Sequence, residues 1–495
     1  MGSASPDHYM VFRQDKLRFR DVFRLLFTKK RLVDYNFVDC SSHAEFELGD
    51  VHADWTFALL AAVQRILFAI STPLKWVGVI VEFFLNFWSL NGGLLGLIRR
   101  ILTVSVTIPV PGSASYRSII GHVDGRFDLY KEEDASHLVS SVPMMDSLGD
   151  IKPLDLTMMA AKIVYENPHY IKHVVNNCWK MHFVAFFDCW NKFLTHKTTQ
   201  AFVFCDRRED ARLICVAFRG TEPFNADDWL TDTDLSYISM GPDKGRVHLG
   251  FMKALGIQDE TNFGRGFPKD LPQDHPHHHV AAKTSSRRPL AYYAIRHTLE
   301  ELLAEHPNAK ILVTGHSLGA ALACLFPALL VYHRQDAILD RVLGVVTHAQ
   351  PRVGDKAFKL YMESAAAKLK FYRMVYRHDM VPRVPFDRPP FSMFTHFGTC
   401  VYYHNWYTGQ VVNEMPMPNY FDLDPVNVIP MYLHAWGDLV RAFFLGRFLG
   451  KDFEEGWISI IYRLTGLLIP GVASHSPRDY LNGARLARIP TKFIH

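Results

Sequence analysis

A β-strand pattern that runs directly into a Gly-x-Ser-x-Gly pentapeptide is the feature that most constrains the fold of this 495-residue chain. The pentapeptide consists of Gly315, His316, Ser317, Leu318 and Gly319. This pattern is typical of a sharp strand-to-helix turn that holds a serine above a sheet. The two glycines suit such a turn because backbone segments approach too closely there for side chains. The sequence therefore predicts an α/β fold with Ser317 as a candidate nucleophile.

Two aspartates, Asp355 and Asp379, follow predicted strands after the serine and are candidates for the acid that orients a catalytic base. The carboxyl ends of parallel strands share the sheet edge that carries the nucleophile, so both positions qualify. Asp379 is preferred because Pro382 and Pro385 stiffen the loop behind it.

The base is sought among the histidines that follow Asp379, because the chain order behind such a serine turn is Ser, Asp, His. They are His396, His404, His434, His475 and His495. His475 is preferred because Ser476 and Pro477 predict an N-cap and a first helical turn directly after it. His396 lies in a strand pattern, which favours a structural role.

Several motifs of one known family occur in the family's order between about residues 150 and 490. They are Phe218-Arg219-Gly220-Thr221, the Trp229 segment, Val247 to Phe251, the serine pentapeptide, Gln350 to Gly354, Asp379 to Pro385 and the segment from Ser474 to Tyr480. The chain resembles the class 3 (fungal-type) triacylglycerol lipases, and among them the plant oil-body lipases. The resemblance implies an α/β-hydrolase with a mostly parallel sheet, a Ser317, Asp379 and His475 triad, and neither cofactor nor metal. The interval of 96 residues from Asp379 to His475 exceeds that of the compact fungal enzymes. The assignment of His475 as the base therefore rests on its local motif rather than on spacing.

The resemblance also implies an oxyanion hole and a lid. The backbone N–H groups of Leu318 and Thr221 are the expected oxyanion donors. The alternative is that Gly220 and Thr221 only form the turn that ends a strand. Residues 222–234 are the expected lid, with Phe224, Trp229 and Leu230 as its apolar residues. A lid with a polar outer face opens most easily where its apolar face meets oil. The alternative for this segment is a solvated acidic loop.

The N-terminal third contains a long apolar region from Trp55 to Pro111 with only five charged residues. The pattern predicts helices over residues 56–70 and 76–90, separated by a break at residues 71–73. The turn residues at 91–93 lead into a further apolar stretch. A hairpin embedded in lipid is preferred, because both of its ends return to water and its backbone is satisfied internally. A transmembrane helix and buried core helices are the alternatives.

These features predict two domains, a lipid-associating region over residues 1–115 and a lipase domain over residues 116–495. Within the second, the apolar insertion near residues 431–470 is either a cap on the acyl groove, which is preferred, or a second lipid contact. Residues 257–288 contain a His-rich tract and predict an exposed insertion rather than a metal site.

Composition adds little to the assignment of function. A net charge of +4 is slight for this length and gives no indication of a nucleic-acid partner. The seven cysteines are scattered without metal-ligand spacing, which predicts free thiols in a reducing compartment. The expected function is triacylglycerol hydrolysis at the cytosolic face of lipid droplets, with the endoplasmic reticulum membrane as a second location. A phospholipase A1 or galactolipase and a catalytically silent droplet coat protein are the alternatives.

Overall fold

The computed structural model describes residues 8–28, 30–49, 52, 55–130, 153–191, 196–257, 267, 288–385, 394–420 and 424–487. Most of the insertion predicted over residues 257–288, including its His-rich tract, lies outside these residues. All seven cysteines are free, as the sequence predicts.

Within these ranges, fourteen strands form two sheets. The strands are β1 (Tyr9–Phe12), β2 (Val38–Cys40), β3 (His182–Asn191), β4 (His196–Cys205), β5 (Leu213–Phe218), β6 (Tyr237–Ser239), β7 (Arg246–His248), β8 (Lys310–His316), β9 (Val342–His348), β10 (Gly354–Asp355), β11 (Phe371–Tyr376), β12 (Phe394–Thr395), β13 (Thr399–Tyr403) and β14 (Gly409–Val412).

The larger sheet has eight strands in the order β14-β13-β11-β9-β8-β5-β4-β3. The five strands from β13 to β5 are parallel, and antiparallel strands complete both edges. All six residues of β5 are buried, and they alternate between two core clusters on opposite faces of the sheet. Such continuous apolar strands form where helices cover both faces of a parallel sheet. The predicted α/β-hydrolase fold is confirmed.

Seventeen helices are described. They are α1 (Phe19–Phe27), α2 (Ser42–Leu48), α3 (Trp55–Leu90), α4 (Gly93–Leu102), α5 (Ile119–Val123), α6 (Pro153–Ile163), α7 (Pro168–His173), α8 (Ala226–Asp232), α9 (Leu249–Leu255), α10 (Ala291–Glu305), α11 (Leu318–Tyr332), α12 (Asp336–Leu339), α13 (Lys356–Ala365), α14 (Pro425–Leu449), α15 (Trp457–Thr465), α16 (Pro470–Ala473) and α17 (Pro477–Leu486). Helices α9, α10 and α11 contribute to one core cluster, whereas α6, α7 and α17 contribute to the other.

The smaller sheet joins the N-terminus to the rest of the molecule. Its six strands are all antiparallel, in the order β12-β10-β7-β6-β1-β2. Strand β1 pairs with β6, and Met10 and Phe12 pack in one core cluster with Tyr237 and Phe394. Strands β1 and β2 therefore share a sheet with strands of the lipase region, and Met10 and Phe12 share a core with it.

Helix α3 corrects the prediction of a helix break at residues 71–73. It continues from Trp55 to Leu90 with Pro73 inside it. A proline removes one backbone hydrogen bond from a helix but does not end it where packing fixes both flanking segments. Both flanks of Pro73 are held here: Gln64 donates to Thr233 O at 2.5 Å, and Asn86 exchanges two 2.8 Å hydrogen bonds with the backbone of Arg117.

A turn at Asn91 and Gly92 separates α3 from α4. Gly92 has a φ of 78°, which suits glycine, and the Asn91 side chain holds the backbone of Thr107 through hydrogen bonds of 2.8 and 2.9 Å. Within the described residues, α3 is the one helix long and apolar enough to cross a membrane. The asparagines that interrupt its apolar sequence attach the following chain to the helix.

Candidate active site

Ser317 lies at the tight turn between β8 and α11. Its φ of 60° and ψ of −131° are a strained combination that occurs where surrounding structure enforces it. A Cβ atom on Gly315 would overlap the carbonyl of Gly319, and one on Gly319 would overlap the carbonyl of Phe218. Both glycines are thus required by close packing of backbone on backbone, and the turn presents the serine at the carboxyl edge of the sheet.

The structure brings Ser317, His475 and Asp379 together. Nε2 of His475 lies 2.9 Å from Oγ of Ser317, and its Nδ1 lies 2.9 Å from Oδ2 of Asp379. A carboxylate only accepts hydrogen bonds, so Nδ1 carries the proton and Nε2 is left as the acceptor for the serine hydroxyl. The imidazole is therefore oriented as a general base for Ser317.

Asp379 is fully buried and has two further donors. Tyr480 donates its hydroxyl to Oδ2 at 2.6 Å, and the backbone N–H of Val381 donates to Oδ1 at 2.9 Å. The Tyr480 hydroxyl itself accepts from the backbone of Tyr376 at 3.1 Å. Burial, together with the negative charge of Asp379, holds the pKa of Tyr480 well above its usual range, so this hydroxyl remains a donor. Sequence reasoning did not assign Tyr480 a role, although it belongs to the same motif as His475.

His316 is a neutral neighbour of the base. Its ring lies against that of His475 with centroids 4.6 Å apart and the planes tilted by 31°, and its Nδ1 lies 3.1 Å from the hydroxyl of Tyr165. Burial lowers the pKa of His316 well below its usual range, with smaller contributions from His475 and His348. The ring that lies against the catalytic base is therefore uncharged.

The alternative acid lies away from the base. Asp355 caps α13 by accepting from the N–H of Phe358 at 2.8 Å, and it pairs with Arg246 at 2.9 Å. Its carboxylate is therefore occupied in holding a helix and a strand together.

The alternative histidines for which the structure gives contacts are also occupied elsewhere. Nε2 of His396 donates to the carbonyl of Pro382 at 2.8 Å. His404 bonds Gln410 at 2.9 Å, and His434 bonds His378 at 2.7 Å. His495 lies outside the described residues. Across the described ranges, no group of three or more His, Cys, Asp or Glu side chains is arranged to hold a metal ion.

The two expected oxyanion donors flank the serine. Leu318 is the first residue of α11, and N–H groups at a helix start have no acceptor within the helix. Thr221 follows Gly220, whose Cα is so close to the turn that an added Cβ would lie 3.0 Å from Cβ of Ser317. The end of β5 and the start of α11 therefore meet beside the nucleophile.

The expected lid segment contains α8 and is anchored at its base. The buried guanidinium of Arg219 pairs with Glu222 and, at 3.2 Å, with Asp228. The side chain of Phe224 lies against Gly78 of α3. Trp229 is half-buried and donates its indole N–H to Pro223 O at 3.2 Å, whereas Leu230 is buried. The segment is thus held between the end of β5 and helix α3.

An apolar cavity of about 480 Å³ lies between the lid segment, α3, α14 and the loop after Asp379. Its lining includes Trp229 of the lid segment and Met431 of α14. Met380 and Val381, which follow the triad aspartate, form another side. The volume lies within the range of about 300–1,000 Å³ typical of small-molecule sites.

A buried charge network positions the His475 segment. Ser476 is the N-cap of α17 as predicted, but its side chain makes no capping hydrogen bond, and Asp479 points into the network instead. Asp479 accepts from Arg463 at 3.0 Å and from the Tyr407 hydroxyl at 2.6 Å. Helix α15 is thereby tied to α17, whose start carries His475.

A serine, an imidazole and a buried carboxylate in this chain order, on a parallel sheet with a strand–serine–helix turn, define a serine hydrolase of the α/β-hydrolase class. The class 3 lipase family model matches residues 215–388. A triacylglycerol lipase OBL1 of Nicotiana tabacum is 41% identical, covering 88% of this chain and 83% of that protein. The Arabidopsis thaliana protein of the same name is 37% identical, covering 97% and 95%.

Among solved structures, lipase II from Rhizopus niveus is 23% identical, covering 51% of this chain and 78% of that one, with a TM-score of 0.34. The identity to the plant relatives, over most of both chains, shows the family. The chain belongs to the class 3 lipases and is a carboxylester hydrolase.

Proposed function

We propose that this chain is a triacylglycerol lipase that works at a lipid-droplet surface through the triad Ser317, His475 and Asp379. The observation that carries the proposal is the imidazole of His475, which lies 2.9 Å from both the serine hydroxyl and the buried carboxylate. The names of the plant relatives support triacylglycerol as the substrate.

The reaction is a double displacement at the ester carbonyl. Ser317 attacks the carbonyl carbon while His475 accepts its proton, and the imidazolium then donates that proton to the departing glycerol oxygen. Water next attacks the acyl-serine in the same manner and releases the fatty acid. Asp379 keeps the imidazole in the required tautomer and stabilises its charged form.

Negative charge develops on the carbonyl oxygen in both steps. We assign its stabilisation to the backbone N–H groups of Leu318 and Thr221, which flank the nucleophile on the start of α11 and the end of β5. The positive end of the α11 dipole acts in the same direction. Donors of this kind that are fixed in advance contribute about 10²–10³ in kcat each.

A large exposed apolar surface supports attachment to lipid. The second half of α3, helix α4 and the chain that follows expose Trp76, Ile80, Phe84, Leu94, Leu95, Ile98, Ile101, Leu102, Val104 and Ile108. Helices α14 and α15 expose Val426, Ile429, Leu433, Trp436, Phe443, Phe448, Trp457 and Ile461. Soluble monomers rarely expose contiguous apolar patches on this scale, so we assign these helices to contact with the droplet from its cytosolic face.

The lid role of residues 222–234 rests on the position of Trp229. Its side chain lines the apolar cavity in the present arrangement. Displacement of α8 at an oil surface would exchange this contact for lipid, which favours the open state only where lipid is present.

The decisive experiment compares purified parent protein with Ser317→Ala on emulsified trioleoylglycerol and on phosphatidylcholine vesicles, with Ser115→Ala as a matched control at an exposed serine. We expect hydrolysis of trioleoylglycerol by the parent and the control, and a loss of several orders of magnitude in Ser317→Ala. Faster hydrolysis of phosphatidylcholine would make the chain a phospholipase. A parent that hydrolyses neither lipid would support the coat-protein alternative.

A further inference from the structure

The first half of α3 is built into the catalytic body. Phe57, Ala58 and Ala61 are buried in the core cluster that also contains Tyr237 of the smaller sheet. Gln64, one turn further, donates to the backbone at the end of the lid segment. Trp55, Leu59 and Val63 of the same segment are partly exposed, as are Trp76, Ile80 and Phe84 further along. The first half of the helix, the packed half, is thus attached to the core on one side only.

The packed half also forms a wall of the cavity described above. Leu60 and Val63 line it from α3, opposite Met431 and Tyr432 of α14. None of these four residues lies within residues 215–388, which the class 3 lipase family model matches. Two walls of the cavity therefore come from parts of the chain added to the family's common core.

The cavity lies against the two loops that position the triad. Val381 lines it and donates its N–H to Asp379, and Pro470, which also lines it, begins the short helix α16 that ends two residues before His475. Both loops that position the triad therefore contribute to the cavity.

The chemistry of the walls selects a hydrocarbon. No charged side chain occurs among the described residues that line the cavity. The hydroxyl of Tyr432 is used by the carbonyl of Leu468 at 3.1 Å, and that of Tyr420 accepts from the N–H of Gly471 at 3.2 Å. Polar groups at the wall thus bind other parts of the protein, and the space between them suits an uncharged, flexible chain.

We propose that this cavity binds the acyl chain of the ester being hydrolysed, and that Leu60 and Val63 of the N-terminal helix determine how long that chain can be. The inference rests on the proposed function of the triad. It gives α3 a second task besides contact with lipid, because the same helix carries the exposed apolar residues and a wall of the substrate site. The lipid-contacting surface and the acyl site therefore share one helix.

The test fills the cavity from the α3 side. Val63→Trp in the full-length protein is compared with Val79→Trp, the same change at an exposed position of the same helix that does not line the cavity. Both are assayed on p-nitrophenyl esters of four to eighteen carbons in detergent. We expect Val63→Trp to retain butyrate hydrolysis and to lose at least about tenfold in the stearate-to-butyrate ratio of kcat/KM, since excluding two methylene groups corresponds to about that factor. Val79→Trp retains the ratio of the parent.

A second variant, Met431→Trp, fills the same cavity from α14. It tests the chain-length preference if Val63→Trp has too low a melting temperature to be assayed. Unchanged chain-length ratios in both cavity variants, with butyrate hydrolysis intact, would overturn the inference and leave the proposed function standing. A parent that hydrolyses no ester at all would instead refute the proposed function. A shift toward shorter chains in either folded cavity variant, absent from the Val79 control, supports the acyl site.

Discussion

Replacement of Asp379 by Asn isolates the role of the buried carboxylate. The amide oxygen can still accept from the N–H of Val381, which places the amide NH₂ where Oδ2 faces His475 and Tyr480. That NH₂ donates to Nδ1 of the imidazole and so moves the imidazole proton to Nε2. Nε2 then donates toward Ser317 and can no longer accept its proton.

The expected magnitude follows from the loss of the general base. A wrong tautomer with intact geometry lowers kcat by about 10⁴, which corresponds to about 5.5 kcal/mol in the activation free energy. Stability should fall by about 1–3 kcal/mol, because the buried hydroxyl hydrogen of Tyr480 loses the carboxylate oxygen that accepted it. The Tyr480 hydroxyl turns to accept from the new NH₂ and from the backbone of Tyr376.

Hydrolysis of a dissolved short-chain ester is the appropriate assay because it does not require attachment to lipid. The matched control is Asp355→Asn, which retains a helix cap but loses the ion pair with Arg246. We expect this control to keep kcat within a few-fold while losing about 1–3 kcal/mol of stability. If Asp379→Asn kept kcat within tenfold of the parent, the tautomer argument would be refuted, and a large loss in Asp355→Asn would transfer the role of the acid.

Lipid attachment, acid stability and the buried charge network each give one further prediction. Leu95 is 82% exposed, so Leu95→Asp should keep the melting temperature but float poorly with trioleoylglycerol droplets, because a charge in lipid costs about 2.5–3.5 kcal/mol; undiminished flotation would exclude α4 from the contact. Burial lowers the pKa of His348 to about 3, so when the pH is lowered from 7.5 to 5.5 the unfolded chain gains a proton that the folded chain does not. The free energy of unfolding therefore decreases as the pH decreases. His348→Gln should reduce that fall by about 1.4 kcal/mol in urea unfolding at the two pH values, and an identical fall would contradict the assignment. Arg463→Met removes the nearest cation from the buried carboxylates of Glu455 and Asp479 and should cost about 3–5 kcal/mol, seen as a lower melting temperature; an unchanged melting temperature would argue against the network.

The central strands could be predicted from the sequence because their apolar runs are buried on both faces. Strands β5 and β11, Leu213–Phe218 and Phe371–Tyr376, are buried along their whole length. The serine turn could also be predicted, since close packing of backbone on backbone allows only glycine at positions 315 and 319. Local chemistry of this kind is contained in a few consecutive residues.

Local patterns were misleading where distant contacts decide. Pro73 predicts a helix end, but α3 continues through it because Gln64 and Asn86 are held by segments far along the chain. Ser476 predicts a side-chain cap, but Asp479 of the same motif is drawn into a network with α15. In each case the contacts made by the folded chain outweigh the preference of the local sequence.

The sequence by itself determined the α/β-hydrolase class and named Ser317, Asp379 and His475, because strand patterns, turn chemistry and family motifs are properties of short segments. Only the tertiary structure decided that Tyr480 donates to Asp379, that the N-terminal strand completes the smaller sheet, and that α3 lies against the lid segment and lines the cavity. These contacts join residues far apart along the chain. They depend on how helices and strands pack against one another, and the residue pattern within one segment does not specify that packing.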